Sequence, residues 1–171
     1  VIRKRTPDME NLTLRDAFEL AVTTEEIGQK LYRRLAEKFT EEPAIADVFL
    51  TLAKDEDFHE EQFKKIGAKL PTNADDASRY GVSEYLRATA ISEFFTDQGF
   101  HKADEIDTVE DALRLAFDFE KTTALFYQAL RDEIGESEEL DQLIAAEKSH
   151  VVALMKVLLS DARFRGLGDK I

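Results

Sequence analysis

Two Glu-x-x-His pairs, Glu56 with His59 and Glu147 with His150, carry the most suggestive chemistry in this 171-residue chain. Residues three apart on a helix lie on one face about a turn from each other, so each pair offers a carboxylate and an imidazole to one point. Their surroundings sharpen the signal. At steps of three and four the first stretch reads Ile45, Phe49, Leu52, Glu56, His59, Phe63, Ile66, Leu70, a stripe that should face a core. An unpaired carboxylate buried there is very costly, so something must neutralise it. The second pair sits in a matching stripe of Leu140, Leu143, Leu154 and Val157.

Two further carboxylates interrupt apolar stripes in the same way. One stripe reads Leu14, Phe18, Ala21, Glu25, Gly28, Tyr32, Leu35, Phe39; the other reads Val109, Leu113, Ala116, Glu120, Thr123, Tyr127, Leu130, Ile134. The chain is therefore a repeat. A displacement of 95 residues carries Glu25 onto Glu120 and Tyr32 onto Tyr127, and one of 91 carries Glu56 onto Glu147 and His59 onto His150. Four ionised carboxylates match the charge of two divalent cations, and two neutral imidazoles complete the sites. Oxygen and nitrogen donors without sulfur suit iron or manganese, and zinc is possible. The spacing predicts that Glu25 and Glu120 bridge the ions, roughly 3.5–4 Å apart, and that each Glu-x-x-His supplies a terminal pair.

The elements that must position these groups follow from local signals. Asn11 or Thr13 is expected to cap a first helix ending near Phe39, with Asp16 completing a capping box. The break at residues 40–43 places Pro43 in the first turn of a second helix, which stops before Pro71. Ser83 should start a short helix to about Thr96, packed through Tyr85, Leu86, Ile91, Phe94 and Phe95. The connection from 71 to 108 is too long for a hairpin loop and should run the length of the molecule. Thr108, with Asp111, caps the next helix; Gly135 breaks it; Ser137 caps a last helix to about Ser160. Residues 1–10 read as a lead-in, 11–160 as one domain and 161–171 as a tail. The expected fold is all-α, a four-helix bundle of two hairpins joined by one long crossover.

The bulk numbers narrow the function classes. A 43% hydrophobic, 35% charged chain with 7 Gly and 3 Pro reads as a mostly helical soluble domain. A net charge of -13 argues against nucleic acid or anionic membrane as a partner. No apolar run has membrane-spanning length. The basic residues near the start precede no apolar segment, so no signal peptide is expected and the cytoplasm is the default location. Zero Cys removes disulfides, thiolate metal sites and Cys nucleophiles.

Two Glu and two Glu-x-x-His motifs on four helices are the ligand pattern of ferritin-like di-iron carboxylate bundles. More closely, the sequence resembles the rubrerythrin group. The resemblance rests on Glu-Glu-Ile-Gly-Gln-Lys-Leu-Tyr from Glu25, Glu-Lys-Thr-Thr-Ala-Leu-Phe-Tyr from Glu120, Asp-Glu-Asp-Phe-His ending at His59, and Ala-Glu-Lys-Ser-His ending at His150. It covers roughly residues 11–160. It implies two iron ions and a di-iron oxidoreductase that reduces hydrogen peroxide or O2, working as a homodimer. Full-length rubrerythrins also carry an iron–tetracysteine domain. This Cys-free sequence lacks that feature, so the electron donor would be a separate protein. Rubrerythrins use an additional glutamate on the third long helix; one turn before Glu120 stands Phe117, beside Asp118, with no such carboxylate. The alternatives are a ferroxidase serving iron storage or delivery, and a helical module that a metal merely holds together.

Outside the six ligand candidates, Tyr32 and Tyr127 lie two turns after their glutamates on the same face. They are expected either to hydrogen-bond ligand carboxylates across the bundle or to serve as core aromatics. His101 reads as a surface residue, Glu26 as solvated, and the acidic runs 55–61 and 136–141 as largely exposed faces.

Overall fold

The computed structural model describes residues 12–70, 82–90 and 105–160. The lead-in, the tail, His101 and the stretch from Ile91 through Phe95 lie outside them. Five helices are described: α1 (Leu14–Lys38), α2 (Pro43–Ala68), α3 (Glu84–Ala90), α4 (Val109–Ile134) and α5 (Glu138–Ser160). No helix among the described residues is long and apolar enough to cross a membrane.

Each long helix begins where the sequence supplies a start signal. Thr13 and Asp16 form a reciprocal capping box at α1, which satisfies two backbone N–H groups that the first turn leaves unpaired. Pro43 opens α2 without losing a hydrogen bond. The Thr108 hydroxyl accepts from the Asp111 N–H at the head of α4, and the Ser137 hydroxyl from the Leu140 N–H at the head of α5. Between them Gly135 adopts φ +83°, a left-handed conformation that ends α4 at little steric cost. The Ser83 hydroxyl accepts from the Leu86 N–H at α3. Leu86 is buried, whereas Tyr85, expected to pack, is exposed. A helix lying on a bundle has one covered face, and Leu86 and Ala90 occupy it.

The core is split into two apolar clusters. One contains Phe18 and Leu20 of α1, Phe63 and Ile66 of α2, Phe126 and Leu130 of α4, and Leu140 and Leu143 of α5. The other contains Leu31 and Leu35 of α1, Phe49 and Leu52 of α2, Leu113 and Phe119 of α4, and Leu154 of α5. Chain direction follows from this order. Helices α1 and α5 run from the first cluster to the second, and α2 and α4 run back. Each hairpin is therefore antiparallel, while α2 and α4 are parallel. Parallel neighbours need a connection that returns along the bundle, which is roughly 39 Å for the 26 residues of α2. Accordingly Val82, Leu86 and Ala90 pack on the first cluster and Ile106 on the second.

Candidate metal centre

Between the two apolar clusters lies a polar layer. The buried charged residues of the described core are Glu25, Glu56, His59, Glu120, Glu147 and His150, and the four carboxylates are each at most 1% exposed. Each comes from the middle of a long helix, two or more turns from its frayed ends. The stripe period turns it inward and the neighbouring apolar side chains seal it.

The six side chains form two overlapping quartets. Glu25, Glu56, His59 and Glu147 bring one donor atom each within 4.8 Å of one another, as do Glu56, Glu120, Glu147 and His150. The shared carboxylates are thus Glu56 and Glu147, from the Glu-x-x-His helices. Glu25 and Glu120 each belong to one quartet only. This corrects the expectation that Glu25 and Glu120 span both positions. Within Glu-x-x-His the imidazole is directed to its own hairpin's quartet, and the carboxylate a turn away reaches the midline.

The electrostatics call for added positive charge. His59 Nδ1 lies 2.7 Å from Glu147 Oε1, 3.4 Å from Glu56 Oε2 and 3.7 Å from Glu25 Oε2. His150 Nδ1 lies 3.3 Å from Glu120 Oε2 and 3.7 Å from Glu147 Oε2. Each imidazole thus turns the same ring nitrogen toward carboxylate oxygens. If that nitrogen carries only a lone pair, it repels them. Burial, with repulsion from neighbouring carboxylates, raises Glu25 and Glu56 well above the usual carboxyl range. The same causes, with Glu147 the main repelling neighbour, push Glu120 up to about 8. Burial also acts to raise Glu147, but the imidazoles of His150 and His59 beside it outweigh that and hold the group well below the usual range. Against the effect of burial, Glu120 and Glu147 push His150 up to about 11, and Glu147 raises His59. Without a bound cation, protons would supply the missing positive charge.

Even so, the layer is not satisfied. Glu25 Oε2, both oxygens of Glu56, both of Glu147 and His59 Nδ1 are buried with no hydrogen bond of good geometry. Buried polar atoms are ordinarily paired, and these converge on one place. A donor set of four carboxylates and two imidazoles fits two divalent cations with oxygen-rich coordination.

The tyrosines reach across the bundle. Tyr32 of α1 donates to Glu120 Oε1 on α4, and Tyr127 of α4 donates to Glu25 Oε1 on α1. Burial, followed by repulsion from its partner carboxylate, raises each hydroxyl well above its ordinary pKa, so each stays a donor. The rings also pack, Tyr127 with its centroid 4.4 Å from that of Phe63 and Tyr32 stacked 6.3 Å from Phe49.

The Rubrerythrin family profile matches residues 16–158. The chain belongs to the rubrerythrin family. A crystal structure of a Thermotoga maritima protein described as ferritin-like diiron-carboxylate is 26% identical; the match covers 89% of this chain and 98% of that one, with a TM-score of 0.72. No curated protein is significantly similar in sequence. The fold is therefore the ferritin-like bundle, and its buried Glu/His layer is a candidate di-metal site.

Three features escape the stripe reading. Asp55, read as part of an exposed acidic run, is half-buried and its Oδ2 lies 3.2 Å from His150 Nε2. The signal was present in the sequence, since Asp55 precedes Glu56 and lies on the flank of the same face. Asp57 is also half-buried and accepts from Gln29 and Arg33 of α1. Glu26, expected to be solvated, is half-buried as well; at 100° from Glu25 it lies on the flank of α1, beside the packed face. By contrast Glu136, Glu138, Glu139 and Asp141 are exposed, as the charge pattern implies. Phe117 is half-buried, Asp118 is exposed, and the described core holds no carboxylate beyond the four.

Proposed function

We propose that Glu25, Glu56, His59, Glu120, Glu147 and His150 hold two iron ions and that the protein reduces hydrogen peroxide, or O2, at this centre. The observation that carries the reading is the set of convergent, buried and unpaired donor atoms in a family whose chemistry is di-metal. The iron pair, when bound, supplies two electrons to the oxidant; the overall balance is H2O2 + 2 e⁻ + 2 H⁺ → 2 H2O. Glu56 and Glu147, shared by both quartets, would help hold either ion, and Glu25 and Glu120 would each hold one. Tyr32 and Tyr127 fix the outer oxygens of Glu120 and Glu25, so those carboxylates keep their inner oxygens turned to the layer. The apolar clusters above and below keep bulk water from the centre, which strengthens every charge interaction within it. These 171 residues hold no Cys for an iron–sulfur relay, so in this reading the electrons reach the centre from outside them.

The test is anaerobic loading of the metal-stripped chain with Fe(II), followed by one equivalent of peroxide. The reading expects two irons bound per chain, a ferric oxo-bridged absorption spectrum, and peroxide consumption when a reductant is supplied. Binding of two irons with no spectral response to peroxide or O2 would leave a metal-stabilised bundle and remove the redox reading.

A further inference from the structure

The two quartets differ in how their imidazoles are held. His150 Nε2 lies 3.2 Å from Asp55 Oδ2. A carboxylate at this distance accepts the Nε2 proton, which leaves Nδ1 as the metal-facing nitrogen and fixes the ring plane. Among the described residues, His59 has its Nδ1 contacts to Glu25, Glu56 and Glu147, its ring packed against those of Phe58 and His150, and no side-chain acceptor at Nε2. The repeat explains the difference. The residue before Glu56 is Asp55, whereas the residue before Glu147 is Ala146. An Ala has nothing to accept with, so the second half of the repeat offers no group to orient the opposite imidazole.

An imidazole without that acceptor is free to carry its proton on Nδ1, facing the carboxylates. It must shift tautomer before it can ligate. A carboxylate on the far nitrogen both removes that step and raises the basicity of the ligating one. Resting on the two-metal reading above, the geometry points to unequal positions: the quartet of Glu120 and His150 takes its ion first and more tightly, and the quartet of Glu25 and His59 holds the exchangeable one. Asp55 is the positioning residue that sets this order.

Cobalt(II) titration of the metal-stripped full chain tests the order, read by visible absorption and by proton NMR of exchangeable imidazole N–H signals. The wild-type chain should bind in two steps at least about tenfold apart, the first producing one shifted, slowly exchanging N–H. Asp55→Ala should weaken the first step by about 10–100-fold and remove that slow signal. Asp55→Asn keeps an acceptor oxygen and should retain part of the separation. Ala146→Asp should tighten the second step and add a second slow N–H. Two indistinguishable steps in the wild type overturn the inference and leave the two-metal reading standing. So does Asp55→Ala weakening both steps equally, or neither. A wild-type chain that takes up no cobalt removes the two-metal reading and this inference with it.

Discussion

A carboxylate placed mid-stripe is a statement about charge: either a proton or a cation accompanies it into the core. In the metal-free chain the protons do so, and the sign of the pH dependence follows. Glu120 is pushed up to about 8, Glu25 and Glu56 are raised, and His150 is pushed up to about 11. All four bind protons more tightly folded than unfolded, so stability is highest below their unfolded pKa values and declines as pH rises. Thermal melts of chelator-stripped protein should show Tm falling from about pH 4.5 toward 8. Metal-loaded protein should show the opposite trend over that window, because ligation needs deprotonated carboxylates and neutral imidazoles. A stripped chain whose Tm rises with pH would contradict this picture. The hydroxyls make a second residue-level prediction. Tyr127→Phe keeps the ring against Phe63 but leaves Glu25 Oε1 without its donor. It should cost about 0.5–1.5 kcal/mol of stability and weaken metal binding by about 10–100-fold, measured by denaturant titration and metal competition. The six buried polar positions were legible in the sequence because a charge in an apolar stripe is conspicuous in one dimension. Which carboxylates lie at the midline was not, because that depends on how the two hairpins face each other.

At the scale of the helix, starts and stops were legible wherever side-chain chemistry sets them. Thr13 with Asp16, Pro43, Thr108 with Asp111, Gly135 and Ser137 all act within a few residues of themselves. The fit between helices is a different matter. Gly28 stands in the α1 stripe where its repeat partner on α4 is Thr123, and only the structure gives the reason. A Cβ on Gly28 would lie 2.9 Å from Phe119 Cε1 and 3.2 Å from Glu56 Oε1. The repeat partner of Phe119 is Thr24, so one half pairs a large side chain with none and the other carries two of middle size. No single-helix pattern encodes that exchange of volume. Phe119 cannot easily yield, since its ring is held edge-on against Tyr32. Gly28→Ala should therefore lose about 1–3 kcal/mol to overpacking, against about 1 kcal/mol regained in helix propensity. It should also weaken metal binding by displacing Glu56. Denaturant midpoints and metal stoichiometry on the same preparation check both effects; a variant more stable than wild type with full metal content would show that the ring gives way freely.

Across the whole molecule, the polar layer is where the two hairpins are joined. Each quartet draws on both: Glu147 of the second hairpin completes the set of Glu25, Glu56 and His59, and Glu56 of the first completes that of Glu120 and His150. The tyrosine bonds cross the same boundary in both directions. An ion bound here ties four helices that the chain itself connects only through short turns and one long crossover. Ligands that bind only the folded state stabilise it by mass action, by about 4 kcal/mol at a thousandfold excess over Kd. For a domain of this size that corresponds to a Tm increase on the order of 10 °C. Chelation should lower Tm by that amount. The loss should also be uneven, because α1 with α2 and α4 with α5 keep their own apolar contacts while the joint between the hairpins loses its charge balance. Amide hydrogen exchange on stripped and loaded protein should show deprotection centred on the turns bearing Glu25, Glu56, Glu120 and Glu147, with the apolar ends of each hairpin less affected. Uniform deprotection would mean that the bundle opens as one unit and that the ions stabilise it without acting as the joint.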